Sequence, residues 1–257
     1  MEQPLIVEIF VFFFGIVVGS FLNVCIYRLP RSLSIVHPRS MCPHCGKEIA
    51  FYDNIPILSY FYLRRRCRHC GATISLRYPL IEFVSGLFAV AVFSRYGLSL
   101  EGLFIYALIS ALLVITFIDI DYRIIPDVIT YPGIVVGFFS SIVRDISYKE
   151  SLTGIILGGG ILFLVASGYY LFTKKEGMGG GDIKLLAMIG AFLGWKGVVF
   201  TIFAGSAIGA VAGAAVAFYT RKGRKMAIPF GPFLSIGALL FLFKGPEIIN
   251  WYIALMR

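Results

Sequence analysis

Two aspartates in this 257-residue chain stand where carboxylates are costly. Asp119 closes the apolar run Ala111 to Ile118, and Asp182 follows Gly179-Gly180-Gly181 and opens another apolar stretch. An ionisable group at the end of a membrane-compatible segment is a functional candidate by default. Two such carboxylates at one depth share a single proton, because like charges a few Å apart do not both ionise cheaply. The ionised partner then takes a proton from water while the protonated one polarises a scissile carbonyl, which is the division of labour in aspartyl proteolysis. The three glycines offer an extended substrate a backbone with no side chains in the way and with amides to hydrogen-bond. Read alone, the stretch is equally a flexible connector, and it lacks the GxxxxGK[ST] pattern of a phosphate cradle. The neighbouring acids have plainer readings. Asp121 points about 200° around a helix from Asp119 and reads as a solvated interfacial charge. Asp127, after Pro126 and before an apolar run, reads as a helix N-cap. Glu82, near the start of another apolar run, is either interfacial or a third functional acid.

The second constellation is sulfur. Cys42-Pro-His-Cys45-Gly46 is echoed by Cys67-Arg-His-Cys70-Gly71, with Ile49 and Ile74 three residues after each glycine. Each Cys-x-x-Cys turn presents two thiolates to one ion, and the following glycine permits the positive φ such turns need. Two turns make a closed four-thiolate shell, predicting structural zinc with His44 and His69 outside it. A pair of disulfides is the alternative, favoured only on the oxidising side of a membrane. A segment of about fifty residues has little core of its own, so bound metal contributes to its folding. Cys25 reads as a small buried apolar residue.

The elements that must position these groups are helices in a bilayer. The chain is 58% apolar and only 14% charged, with a mean hydropathy of +0.86, outside the range of soluble domains. Apolar runs near the length that crosses a bilayer predict about eight transmembrane helices over residues 5–26, 80–96, 99–118, 128–143, 152–172, 183–194, 197–219 and 228–243, the sixth being short. The fold class is therefore an all-α polytopic membrane protein with a small zinc-bound cytoplasmic module. Its predicted parts are a first transmembrane helix (1–27), the four-cysteine module (28–79) and a membrane-embedded aspartyl protease domain (80–257). With the N-terminus outside, seventeen of the 23 basic residues fall on the cytoplasmic face and six on the other, as the positive-inside rule requires. The net charge of +9 then reflects topology and the anionic inner leaflet rather than nucleic acid binding. The first run, preceded by Glu2 and with no small-residue cleavage site after it, reads as a retained helix rather than a signal peptide. Its Gly15 and Gly19 would let another helix approach closely.

Asp119-Ile-Asp-Tyr-Arg-Ile-Ile-Pro-Asp-Val-Ile-Thr130 and Gly177-Met-Gly-Gly-Gly-Asp182 resemble the signature segments of the type IV prepilin leader peptidases, which are GxGD-type membrane aspartyl proteases. The likeness extends to Gly19-Ser-Phe-Leu-Asn-Val-Cys-Ile-Tyr-Arg-Leu-Pro30, the paired cysteines, Arg77-Tyr-Pro-Leu-Ile-Glu82 and Ile228-Pro-Phe-Gly-Pro-Phe233. The resemblance implies an enzyme of a bacterial inner membrane, serving type IV pilus or type II secretion assembly. It would cleave the basic leader from prepilins and pseudopilins at the cytoplasmic face. It implies Asp119 and Asp182 as the catalytic pair, next to Gly179, Gly180 and Gly181, which the residues themselves mark as substrate-binding. It also implies N-methylation of the new N-terminus with S-adenosylmethionine. No GxGxxG follows a strand here, so the methyl donor rests on the resemblance alone. The tail after Phe243 carries no motif. From the residues alone, two other classes compete: an ion-coupled transporter using Asp119, Asp182 and Glu82 beside broken helices, and a phosphotransferase holding Mg²⁺ on its aspartates.

Overall fold

The computed structural model describes residues 4–144, 146–175, 179–220 and 229–255, with the side chains of 219, 220 and 253 left aside. Among the described residues the α-helices are α1 (Leu5–Arg28), α2 (Leu58–Tyr62), α3 (Arg77–Tyr96), α4 (Leu100–Tyr122), α5 (Asp127–Ser140), α6 (Tyr148–Thr173), α7 (Gly180–Thr220) and α8 (Gly231–Leu255). Among the described residues, β pairing is limited to two isolated bridges, Met41 with Glu48 and Arg66 with Thr73. Six helices among the described residues are long and apolar enough to cross a membrane. A hydrocarbon interior leaves a backbone no partners but its own, so helices are the form such runs must take. Among the described residues each of the eight apolar runs falls largely within a helix, but bounds and lengths differ from expectation. α5 has 14 residues, about 21 Å of rise. α8 continues through Pro246 to Leu255, so the tail beyond Phe243 is helical as well.

Contacts group the chain into two units, Met1–Val114 and Ile115–Arg257, dividing inside α4. In the first, α1 and α3 meet backbone to backbone. A Cβ on Gly15 would lie 2.8 Å from Gly86 Cα, and one on Gly19 would lie 2.6 Å from Glu82 Cα. Both glycines therefore admit α3, as their spacing predicts. The Ser85 hydroxyl donates to Gly15 O at 2.8 Å and lies 2.8 Å from the Tyr106 hydroxyl. Buried polar links of this kind hold helices whose apolar surfaces lipid would solvate equally well.

In the second unit the stretch labelled α7 is a hairpin. Gly194 has φ 68° and ψ −177°, a conformation that favours glycine. A straight helix would separate Gly181 from Gly209 by about 42 Å. Instead Gly181 abuts Ile125, which also touches Gly231 at the start of α8, while Gly209 abuts Phe233 two residues later. The helix before Gly194 packs on α5 and α6, and the helix after it packs on α8, with Gly205 against Phe233 and Gly237 against Thr201. The reversal at Gly194 accounts for the short sixth run and the seventh that follows it.

Asp127 departs from its expected role. The N-cap of α5 is Pro126, with ψ 126°, and no side chain caps the helix. Asp127 is the first helical residue, where negative charge still favours the helix N-terminus, and its carboxylate pairs with Lys184. Asp121 is exposed, as expected of an interfacial charge.

The tightest packing lies between α6 and α7, where Gly154 and Gly190 face each other with no room for a side chain on either. Gly190→Leu is expected to lose about 1–3 kcal/mol or more through overpacking. Gly168→Leu, on an open stretch of α6, should leave stability near the parent's, as measured by thermal unfolding in detergent.

Candidate active site

Asp119 sits in the last turn of α4 with only 5% of its surface exposed. Its Oδ2 accepts the Gly231 N–H at 2.9 Å, across 112 residues of sequence. A Cβ at position 231 would lie 2.6 Å from that same oxygen and 3.3 Å from Ile125 Cδ1. Gly231 is the first residue of α8, so its amide belongs to the donors that a helix leaves unsatisfied at its N-terminus. The helix end thereby satisfies a buried carboxylate that would otherwise be costly.

Asp182 stands in the first turn of α7, half-buried. Its N–H donates to Gly179 O at 3.2 Å, closing the glycine run onto the helix start. A Cβ on Gly181 would lie 2.9 Å from Ile125 Cβ, while one on Gly180 would meet nothing within 4 Å. Ile125 thus packs against both glycines, one beside each aspartate. The carboxylates of Asp119 and Asp182 are near enough to act on each other electrostatically. Such a pair can hold one proton between its members. Gly177, Met178 and Ile228 of the signature segments lie outside the described residues.

Sequence reasoning missed three contributors. Gly231 had no assigned role, Ile125 looked like an ordinary apolar residue, and the Lys184–Asp127 pair joins residues 57 apart. Lys184 also lies over the Tyr131 ring, 5.4 Å from its centroid, tying the start of α7 to α5. For the first, the available signals were its place in the family-like segment Ile228–Phe233 and the Gly231-Pro232 pair ahead of an apolar run.

In the other unit the two cysteine blocks fold alike. Cys42 N–H donates to Lys47 O at 3.0 Å and Gly46 N–H to Cys42 O at 2.9 Å; Cys67 N–H donates to Ala72 O at 2.8 Å and Gly71 N–H to Cys67 O at 2.9 Å. Gly46 and Gly71 take φ of 68° and 70°, the positive φ expected after each Cys-x-x-Cys. Ile49 and Ile74 close each block by donating to Ser40 O and Arg65 O, both at 2.8 Å. The turns bring the sulfurs of Cys42, Cys45, Cys67 and Cys70 within 4.8 Å of one another, with Cys42 Sγ 3.9 Å from Cys70 Sγ. A tetrahedral ion with metal–sulfur bonds of about 2.3 Å needs sulfurs about 3.8 Å apart, so the group can coordinate one metal. Backbone N–H groups of Cys70 and His69 draw the Cys67 thiol down to about 7. The Ala72 N–H favours the Cys70 thiolate, yet desolvation and the crowding sulfurs of Cys67, Cys45 and Cys42 push that thiol up to about 11. A divalent cation relieves such crowding. Cys25 is buried within α1, apart from this group. Arg68, inside the second turn, makes a bidentate ion pair with Asp53 at 2.6 and 2.7 Å. Its guanidinium holds the Asp53 carboxyl below the usual range.

Next to these turns lies a cavity of about 710 Å³ walled by residues between Ser20 and Glu82. Glu82, 7% exposed, forms part of its wall, with Oε2 accepting the Ile57 N–H at 2.7 Å.

Residues 13–96 match the bacterial peptidase A24 N-terminal domain, and residues 106–214 match the type IV leader peptidase family. A curated prepilin leader peptidase/N-methyltransferase of Aeromonas hydrophila is 35% identical over 95% of this chain and 92% of its own length. Proteins of the same description from Pseudomonas putida (36%, over 91% and 89%) and Legionella pneumophila (34%, over 98% and 96%) are similar throughout. No solved structure matches the chain. The chain belongs to the type IV leader peptidase family.

Replacing any one of Cys42, Cys45, Cys67 or Cys70 with Ser should reduce the metal that copurifies with the protein, measured by elemental analysis. Cys25→Ser should leave it unchanged; full metal retention in all four ligand variants would refute the centre.

Proposed function

We propose that this chain removes the basic leader from prepilins and pseudopilins and then N-methylates the new N-terminus. The observation that carries the proteolytic half is the packing of Ile125 against Gly181 beside Asp182 and against Gly231 beside Asp119, with the Gly231 amide on one oxygen of Asp119. With that oxygen engaged, the other serves the attacking water. The pair holds one proton, so one carboxyl activates water while its partner polarises the scissile carbonyl. The side-chain-free run Gly179–Gly181, open at Gly179 and Gly180, receives the substrate backbone beside it. Family membership favours this reading over an ion-coupled transporter or a Mg²⁺-dependent phosphotransferase.

The reading includes eight transmembrane helices, counting α5 and both arms of the Gly194 hairpin but not the short α2. The N-terminus is outside, and both the aspartates and the cysteine segment face the cytoplasm of a bacterial inner membrane. Residues 1–27 serve as the first span, 28–79 as a zinc-bound module and 80–257 as the protease domain. The metal is structural zinc, since four thiolates leave no open position. S-adenosylmethionine supplies the methyl group, as the resemblance implies, and the cavity beside the cysteine turns falls within the volume range of small-molecule sites.

Asp119→Asn and Asp182→Asn should each abolish cleavage of a peptide bearing a leader and its apolar segment, with metal content intact. Asp121→Asn and Asp127→Asn should retain substantial activity. The reverse pattern would overturn the assignment. Cleavage by the parent protein should fall on both sides of a pH optimum, as a one-proton pair requires. Gly231→Ala should lower the cleavage rate at least about tenfold, the consequence of about 1.4 kcal/mol of lost carboxylate positioning.

The two activities should separate. Asp182→Asn is expected to methylate a peptide supplied already cleaved, followed by radiolabel transfer. Failure of the parent protein in that assay would remove methyl transfer from the function.

A further inference from the structure

We propose that the cavity beside the cysteine turns binds the methyl donor, an S-adenosyl sulfonium, and that Glu82 faces its cationic end. The inference rests on the methyl-transfer reading above and adds to it a place and a residue. Three carboxylates line the cavity. Asp53 is committed to Arg68, and Glu48 is exposed. Glu82 is buried, and its partners are neutral: the Ile57 N–H and the Ser20 hydroxyl. Among the described residues no cationic side chain pairs with it. A buried carboxylate without a counter-cation is costly, and a cationic ligand in the adjoining cavity offsets that cost.

The position of Glu82 is over-determined. Its Cα is pinned by the close approach of Gly19. The Ile57 amide that meets it comes from a strained turn: Ile57 has φ 61° and ψ −52°, and Leu58 N–H donates back to Pro56 O at 2.6 Å. A γ-turn of this hand is rare, and a β-branched residue at positive φ is an outlier. Strain of that kind persists where surrounding structure fixes it, and it concentrates at ligand clamps. The rings of Tyr27, Tyr60 and Tyr78 also line the cavity, and aromatic faces attract cations, sulfonium included.

Glu82 lies in the second turn of α3, a helix long and apolar enough to cross a membrane. A donor held there presents its methyl group near the level at which an amine heading an apolar segment arrives. The unprotonated amine forms the N–C bond as the C–S bond breaks. The bonding pair stays on sulfur, which becomes a neutral thioether, and the surplus proton on nitrogen passes to water. Positive charge therefore moves from sulfur to nitrogen within reach of one carboxylate.

The test begins with the parent protein in detergent, irradiated with S-[methyl-³H]adenosylmethionine and mapped by peptide. Label between residues 20 and 82 is expected. Label confined to residues 115–257 overturns the placement while leaving methyl transfer intact. No binding and no methyl transfer by the parent protein brings down both the proposal and the reading beneath it. Calorimetry then compares S-adenosylmethionine with S-adenosylhomocysteine, which lacks the sulfonium charge. In Glu82→Gln the affinity ratio between them should fall about tenfold, and Glu82→Asp, which keeps the charge, should restore most of it. An unchanged ratio in Glu82→Gln would show that the carboxylate serves the acceptor amine or the fold instead, and would overturn its assigned role. If Glu82→Gln loses its metal and does not fold, the label map and Glu82→Asp decide.

Discussion

A carboxylate enclosed in an apolar bundle must be satisfied by something, and at Asp119 that something is one backbone amide. The Gly231 N–H reaches Asp119 Oδ2 because α8 starts there and a helix N-terminus has amides to spare. Several features follow from that bond. Position 231 must lack a side chain, since a Cβ would meet the oxygen it serves. Ile125 must fill the space beside it, and in doing so it also sets Gly181 and hence the start of α7. The carboxylate of Asp182 comes near enough to that of Asp119 for the two to act on each other electrostatically.

The cysteine segment is organised by different means. It has two short hairpin turns, one bidentate Arg68–Asp53 pair and little buried apolar surface, so sulfur geometry takes the place of a hydrophobic core. Metal binding energy in such modules is folding energy. The cavity beside the turns shares its walls with the ends of α1 and α3, so order in the turns and the shape of that cavity are linked.

Much of this was legible in the sequence, for identifiable reasons. Acids are so costly in apolar runs that Asp119, Asp182 and Glu82 stood out by position, and paired Cys-x-x-Cys-Gly blocks leave few geometries open. The helices were readable because hydrocarbon permits little else. What stayed hidden was carried by backbone or by distance. The Gly231 amide leaves no trace in residue type, and the Lys184–Asp127 pair spans two helices. Pro126 took the N-cap position that Asp127 seemed suited to fill. The reversal at Gly194 rests on one glycine among 28, most of which sit in ordinary helix.

The two cysteine turns repeat each other hydrogen bond for hydrogen bond, down to the glycine φ and the isoleucine that closes each block. A single block offers two sulfurs, half of a tetrahedral shell, so neither turn closes a metal shell by itself, and the chain between Gly46 and Cys67 has to double back until the second pair of sulfurs meets the first.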